Sequence, residues 1–66
     1  MELTVNGEYR DVADSSTVAD LMTLCNATGR GSAIAIDGVV VPRSEWPTRQ
    51  LTPGVRVELV QAVQGG

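Results

Sequence analysis

The residues best suited to chemistry are the last two, Gly65 and Gly66, which follow Gln64 at the end of the sequence. Neither carries a Cβ, so the backbone there is slender and can adopt extended conformations barred to other residues. A tail of this kind can enter a narrow channel on another protein and present its terminal carboxylate to a reactive centre. No side chain blocks attack on the last carbonyl carbon. Chain ends are commonly frayed. What sets this one apart is that its glycines come directly after a strongly patterned strand, with only Gln64 between. The expectation is a single domain over residues 1–63 and a flexible tail over 64–66.

Other reactive groups are sparse. The 66 residues include no histidine and one cysteine, Cys25, which leaves no Ser-His or Cys-His pair and no imidazole metal site. A lone cysteine cannot close an intramolecular disulfide, which fits a reducing, cytoplasmic compartment. Its simplest role is that of a small hydrophobe on the inner face of a helix, with sulfur relay as the alternative. Eight carboxylates remain, but a domain this small has little room for a deep pocket that would shift their pKa values. The chain is therefore expected not to be an enzyme in its own right, but to act on, or be acted upon by, a larger partner.

Charge and hydropathy exclude further classes. The five cations are all arginines (Arg10, Arg30, Arg43, Arg49 and Arg56), and against eight acids they leave a net charge of −3. Nucleic-acid binding needs a basic footprint that displaces counterions, and none is present. An anionic membrane surface is disfavoured for the same reason. The apolar stretches at 33–36 and 39–41 fall far short of the roughly 18 residues of a membrane span. Glu2 directly follows Met1, so no charged start runs into an apolar leader, which argues against secretion.

The elements that must position the tail can be read in order. Residues 2–6 alternate polar and apolar, the period of a half-buried strand. Asn6-Gly7 predicts a type I′ turn, with a returning strand over 8–12. Thr17-x-x-Asp20 matches a capping box, and Asp20 sits at the positive end of a helix dipole. Val18, Leu21, Met22 and Cys25 follow at i, i+3, i+4 and i+7, one helical face. The spacing predicts a helix of about three turns, ended by Gly29 and Gly31. Residues 33–37 form a short strand and Asp37-Gly38 a second tight turn, with Val39 to Val41 continuing beyond it until Pro42 limits pairing. A single helical turn fits between Pro42 and Pro47, and Thr52-Pro53-Gly54 is a turn. Val55 to Leu59 alternate cleanly, and 60–63 extend that strand. The sum is an α+β domain with one helix laid across a sheet.

These features together resemble a known family. A small strand-strand-helix-strand-strand chain with Gly-Gly at its end is similar to the ubiquitin-like β-grasp proteins, which implies a mixed sheet of four to five strands with one helix packed across it. Val41-Pro42-Arg43-Ser44-Glu45-Trp46 resembles the Val-Pro-Arg-x-x-Trp stretch of the thiamine-biosynthesis sulfur carriers, the ThiS family. Asn6 after the first strand, Thr17-Val18 opening the helix, Ala35-Ile36-Asp37 before the turn and Gln61 four residues before Gly65 support the match, which covers essentially the whole chain.

The resemblance implies that Gly66 is the working residue. A carboxylate is a poor acyl donor, because its charge repels nucleophiles and oxide leaves badly. An ATP-dependent, E1-like activating enzyme would adenylate Gly66. A sulfur donor, such as a persulfide-bearing cysteine desulfurase or rhodanese-type protein, would displace AMP and leave a C-terminal thiocarboxylate. Thiazole synthase would take that sulfur for the thiazole ring of thiamine. ATP and Mg²⁺ would sit on the activating enzyme, since this chain has no Gly-rich phosphate-binding loop; it would be a recycled protein co-substrate, monomeric when free. The absence of lysine fits a modifier that builds no chains on itself, or simply a bias toward arginine.

Partner docking is expected near the tail. If Val55, Val57 and Leu59 face the core, then Arg56, Glu58 and Val60 face outward, with Ala62 continuing that side. Val60 beside Ala62 would form apolar surface of the kind found at interface centres, unless a β-bulge turns Val60 inward. Arg43 reads as a cap on local carbonyls and Trp46 as a packing anchor over the sheet edge. Two other readings remain open: a sulfur donor like the small subunit of molybdopterin synthase, and a non-covalent β-grasp interaction module.

Overall fold

The computed structural model describes residues 1–62. The tail over 64–66, Gly66 included, lies outside the described residues, as does Val63. Five strands and one helix follow in the order β1 (Glu2–Val5), β2 (Glu8–Asp11), α1 (Val18–Leu24), β3 (Ser32–Ile36), β4 (Val39–Val40), a 3₁₀ turn (Arg43–Glu45) and β5 (Arg56–Gln61). They form one mixed sheet in the order β2-β1-β5-β3-β4. The last strand is thus the central one, parallel to β1 and antiparallel to β3. This is the β-grasp arrangement, with the helix packed across one face of the sheet.

Both hairpins close at the expected dipeptides. Asn6 and Gly7 have φ of 52° and 84°, and Asp37 and Gly38 have 49° and 85°, the paired positive angles of type I′ turns. The first turn sets Thr4 against Tyr9; the second sets Ala35 against Val40.

Helix α1 begins where the capping box places it. Thr17 Oγ1 accepts the Asp20 N–H at 3.1 Å, and the Thr17 N–H donates to Asp20 Oδ2 at 2.9 Å. The two remaining free N–H groups of the first turn, Val18 and Ala19, donate to the carbonyls of Arg49 and Trp46, so the helix start is satisfied by the segment that follows the 3₁₀ turn. The helix is shorter than its periodicity predicts, seven residues, or about two turns. Asn26, not a glycine, ends it. Asn26 sits at φ 59°, its N–H donates to Thr23 O, and the Ala27 N–H donates to Met22 O at 2.7 Å. That is a Schellman closure, in which asparagine replaces the usual glycine. Cys25 is therefore the cap residue, half-buried at the rim of the core.

One core joins the two layers. Leu3 and Val5 of β1, Ile34 and Ile36 of β3 and Val57 of β5 pack against Val18, Leu21 and Met22 of α1. Trp46, Val41 and Leu51 close the β4 side. Strand β4 is only Val39–Val40; Val41 leaves the strand and turns into the core, 3% exposed. Strand β5 is described to Gln61, with the Ala62 N–H still donating to Gly31 O at 3.0 Å.

Candidate functional site

The face of the sheet opposite α1 is open, and the register decides what lies on it. Cross-strand partners share a face. Thr4 pairs with Tyr9 on one side and Arg56 on the other. Glu58 pairs with Ala35, which pairs with Val40, and Val60 pairs with Ala33. Arg56, Glu58 and Val60 alternate with buried Val57 and half-buried Leu59, so the docking candidates stand together on the open face. Val60 is 61% exposed; no bulge turns it inward. Ala62 is exposed on the same side of the chain. Arg56 Nε lies 3.9 Å from Glu58 Oε1, a solvent-exposed pair that contributes little to stability and leaves both groups available to a partner.

The apolar part of this face is larger than Val60 and Ala62 alone. Val40 (69% exposed) and Tyr9 (77% exposed) flank the charged pair, and Ala33 lies beside Val60. These neighbours were missing from the candidate set, although the signal for Val40 was present. An Asp-Gly type I′ turn at 37–38 fixes the pairing of residues 35 and 40, and with it the face on which Val40 stands.

Asn6 holds the site strand. Direct β1–β5 pairing covers only Thr4 with Arg56 and Val5 with Val57. Beyond it the Asn6 side chain continues the connection: Nδ2 donates to Leu59 O at 3.0 Å, and Oδ1 accepts the Leu59 N–H at 2.8 Å. The Asn6 N–H adds a bond to Val57 O at 2.8 Å. At the other margin Asp37 Oδ1 accepts the Arg56 N–H at 2.9 Å. These bonds hold β5 at both margins of the open face.

The Val-Pro-Arg-x-x-Trp segment has a structural explanation. The Trp46 indole is 6% exposed, and its Nε1–H donates to Val41 O at 3.0 Å. The Arg43 guanidinium lies 4.4 Å from the ring centroid, a cation–π contact. Its Nη2 donates to Gly29 O at 2.6 Å and its Nη1 approaches Thr28 O at 3.4 Å. Arg43 thus ties the loop after α1 to the tryptophan, and Trp46 is the anchor of the β4 side, as their residue types suggested.

Among the described residues there is no group of three or more His, Cys, Asp or Glu that could hold a metal ion. A surface depression of about 420 Å³ runs between α1 and the residues after β2 and lies away from the open face. A smaller one of about 200 Å³ is bordered by Glu8, Arg10, Cys25 and Gln61. Hydrogen bonds to Asp14 and then Asp11 hold the Met1 ammonium above the ordinary amino-terminal value. No described helix is long and apolar enough to cross a membrane.

The family model described as ThiS family matches residues 3–66, the span that includes the open face, the Val-Pro-Arg-x-x-Trp segment and the glycines. The chain belongs to the ThiS family. A relative from Escherichia coli (strain K12), named sulfur carrier protein ThiS, is 29% identical over 66 residues, and the match covers 100% of both chains. The crystal structure of a thiamine biosynthesis protein (ThiS) from Geobacter metallireducens superposes with a TM-score of 0.82 at 29% identity, again over 100% of both chains. The chain shares its β-grasp fold with that ThiS structure.

Proposed function

We propose that the chain is a sulfur carrier protein of thiamine biosynthesis and that the Gly66 carboxylate is its working group. An E1-like activating enzyme, which supplies the ATP and Mg²⁺ site, converts the carboxylate to an acyl adenylate with release of pyrophosphate. The terminal sulfur of a persulfide on a cysteine desulfurase or rhodanese-type donor attacks the carbonyl carbon and AMP leaves, giving an acyl disulfide. A second thiol then attacks the donor cysteine's sulfur, which releases the thiocarboxylate and leaves a disulfide between that thiol and the donor. Thiazole synthase then takes the sulfur, and Gly66 returns as a carboxylate for the next cycle. The chain serves these enzymes as a co-substrate and performs no step with its own side chains. All of these steps belong in the cytoplasm.

The observation that carries this reading is the central position of β5. The strand that displays Arg56, Glu58 and Val60 ends at Gln61, four residues before Gly65 in the sequence. A partner bound to the open face is therefore positioned at the root of the tail. Apolar Val60, Val40 and Ala62 supply the desolvated centre of such an interface, and Arg56 and Glu58 supply its polar part.

Deleting Gly65 and Gly66 tests the reading. The truncated chain should fold with an unchanged melting temperature and lose all sulfur transfer. Retained partner function after the deletion would favour a non-covalent module. Capture of a molybdopterin synthase large subunit in place of thiazole synthase would favour a different sulfur acceptor.

A further inference from the structure

Gly31 precedes β3, opposite the point at which the described chain ends. The β3–β5 ladder runs to Ser32 and Gln61 and is extended by one bond, from the Ala62 N–H to Gly31 O at 3.0 Å. A Cβ placed on Gly31 would fall 2.5 Å from Ala62 Cβ and 3.3 Å from both Ala62 Cα and N. Carbon atoms pack at about 3.5–4.0 Å, so any side chain at 31 would drive Ala62 aside by about 1 Å. Conformation does not explain this glycine, because the positive-φ glycines are Gly7, Gly38 and Gly54. Gly29, two residues earlier, has open space where its Cβ would lie.

We infer that Gly31 is a positioning residue for the tail: its missing side chain lets Ala62 lie against the start of β3, which fixes the last described residue from which the tail continues. This rests on the reading of Gly66 as the adenylated group. Upstream, β5 is held by the Asn6–Leu59 pair and by the ladder with β3, so a displacement at Ala62 does not travel back to Arg56, Glu58 or Val60. Downstream, four residues reach at most about 14 Å, so an error at the root reduces how often the carboxylate meets its reactive centre. Reactions held in an enzyme site lose up to about 100-fold for a misplacement of about 1 Å.

The test is ATP–pyrophosphate exchange by the host's adenylating enzyme, with the intact 66-residue chain as the varied substrate. Gly31→Ala should lower kcat at least tenfold and change KM for the carrier by a much smaller factor, since Arg56, Glu58, Val60 and Val40 keep their places and only the Ala62 margin of the docking face moves. Gly29→Ala should leave both parameters at the wild-type value. Gly31→Ala combined with Ala62→Gly, which removes the colliding carbon, should recover most of the lost kcat. Should Gly31→Ala melt below the assay temperature, Ala62→Pro removes the N–H given to Gly31 and adds ring atoms at the same root, and it should reproduce the kcat loss. A wild-type kcat in Gly31→Ala, a defect confined to KM, or failure of the double variant to recover would each overturn the inference while leaving the carrier reading intact. No exchange with the wild-type chain would defeat both.

Discussion

Replacing Asn6 tests how β5 is held in place, and the size of the effect follows from two bonds and one dihedral angle. The Asn6 side chain donates to Leu59 O at 3.0 Å and accepts the Leu59 N–H at 2.8 Å. Each such bond contributes about 1 kcal/mol net, so losing both costs about 2 kcal/mol. Asn6 also holds φ at 52°, a conformation that costs residues with ordinary side chains about 1–2 kcal/mol and asparagine less. Asn6→Gly removes the bonds and keeps the turn, and should destabilise by about 1–2 kcal/mol. Asn6→Ala removes the bonds and adds strain, and should destabilise by about 2–4 kcal/mol. At 4–8 °C per kcal/mol for a domain of this size, the glycine variant should melt roughly 4–16 °C lower and the alanine variant lower still. Thermal melts followed by far-UV circular dichroism give the order, and amide hydrogen exchange locates the cause at Leu59. An Asn6→Gly variant with wild-type melting and a still-protected Leu59 amide would refute the role assigned to this side chain.

Three further outcomes are expected. Trp46→Phe should destabilise by about 1–3 kcal/mol, measured by urea denaturation, because Val41 O loses its indole donor in a buried setting; an unchanged midpoint would contradict the anchoring role. The Met1 ammonium is held above its ordinary value by Asp14 first and then by Asp11. Its stabilising effect should be complete below the unfolded amino-terminal pKa near 8.0 and be lost as pH rises through the folded value. Relative to an Asp11→Asn/Asp14→Asn variant, the wild-type chain should therefore lose its advantage in melting temperature between neutral and strongly alkaline pH, and a pH-independent difference would contradict the linkage. Val60→Glu places a charge at the centre of the open face without touching the core; it should raise KM for the activating enzyme with no loss of stability, and a wild-type KM would remove Val60 from the docking surface.

Much of the fold was legible because its signals are local. Asn6-Gly7 and Asp37-Gly38 announce themselves through the positive φ that type I′ turns require, and Thr17 with Asp20 closes a capping box within four residues. The alternation in 55–59 separated Val57 from Arg56 and Glu58 correctly, which placed the docking candidates on one face. Contacts formed at long range were not legible. Asn6 reads as a turn residue, yet half of its work is done on Leu59, 53 positions away. Gly31 reads as a helix stop; its neighbour is Ala62, at the far end of the chain. The helix was read one turn too long because Cys25 keeps the apolar period, while the chain reverses at Asn26, where asparagine takes the left-handed conformation that glycine was expected to supply. Val41 continues a run of three valines, but it turns inward and its carbonyl receives the Trp46 indole, a tertiary preference that strand propensity does not contain.

The most direct test is the mass of the intact protein after incubation with ATP, the activating enzyme and a sulfur donor, or after isolation from its native host. Replacement of one oxygen by sulfur at Gly66 should add about 16 Da, carried by the C-terminal peptide and absent when ATP is withheld. A fully folded chain whose mass stays unchanged under complete reaction conditions, or one whose added mass maps to Cys25, would contradict a carrier that holds sulfur on its terminal carbonyl.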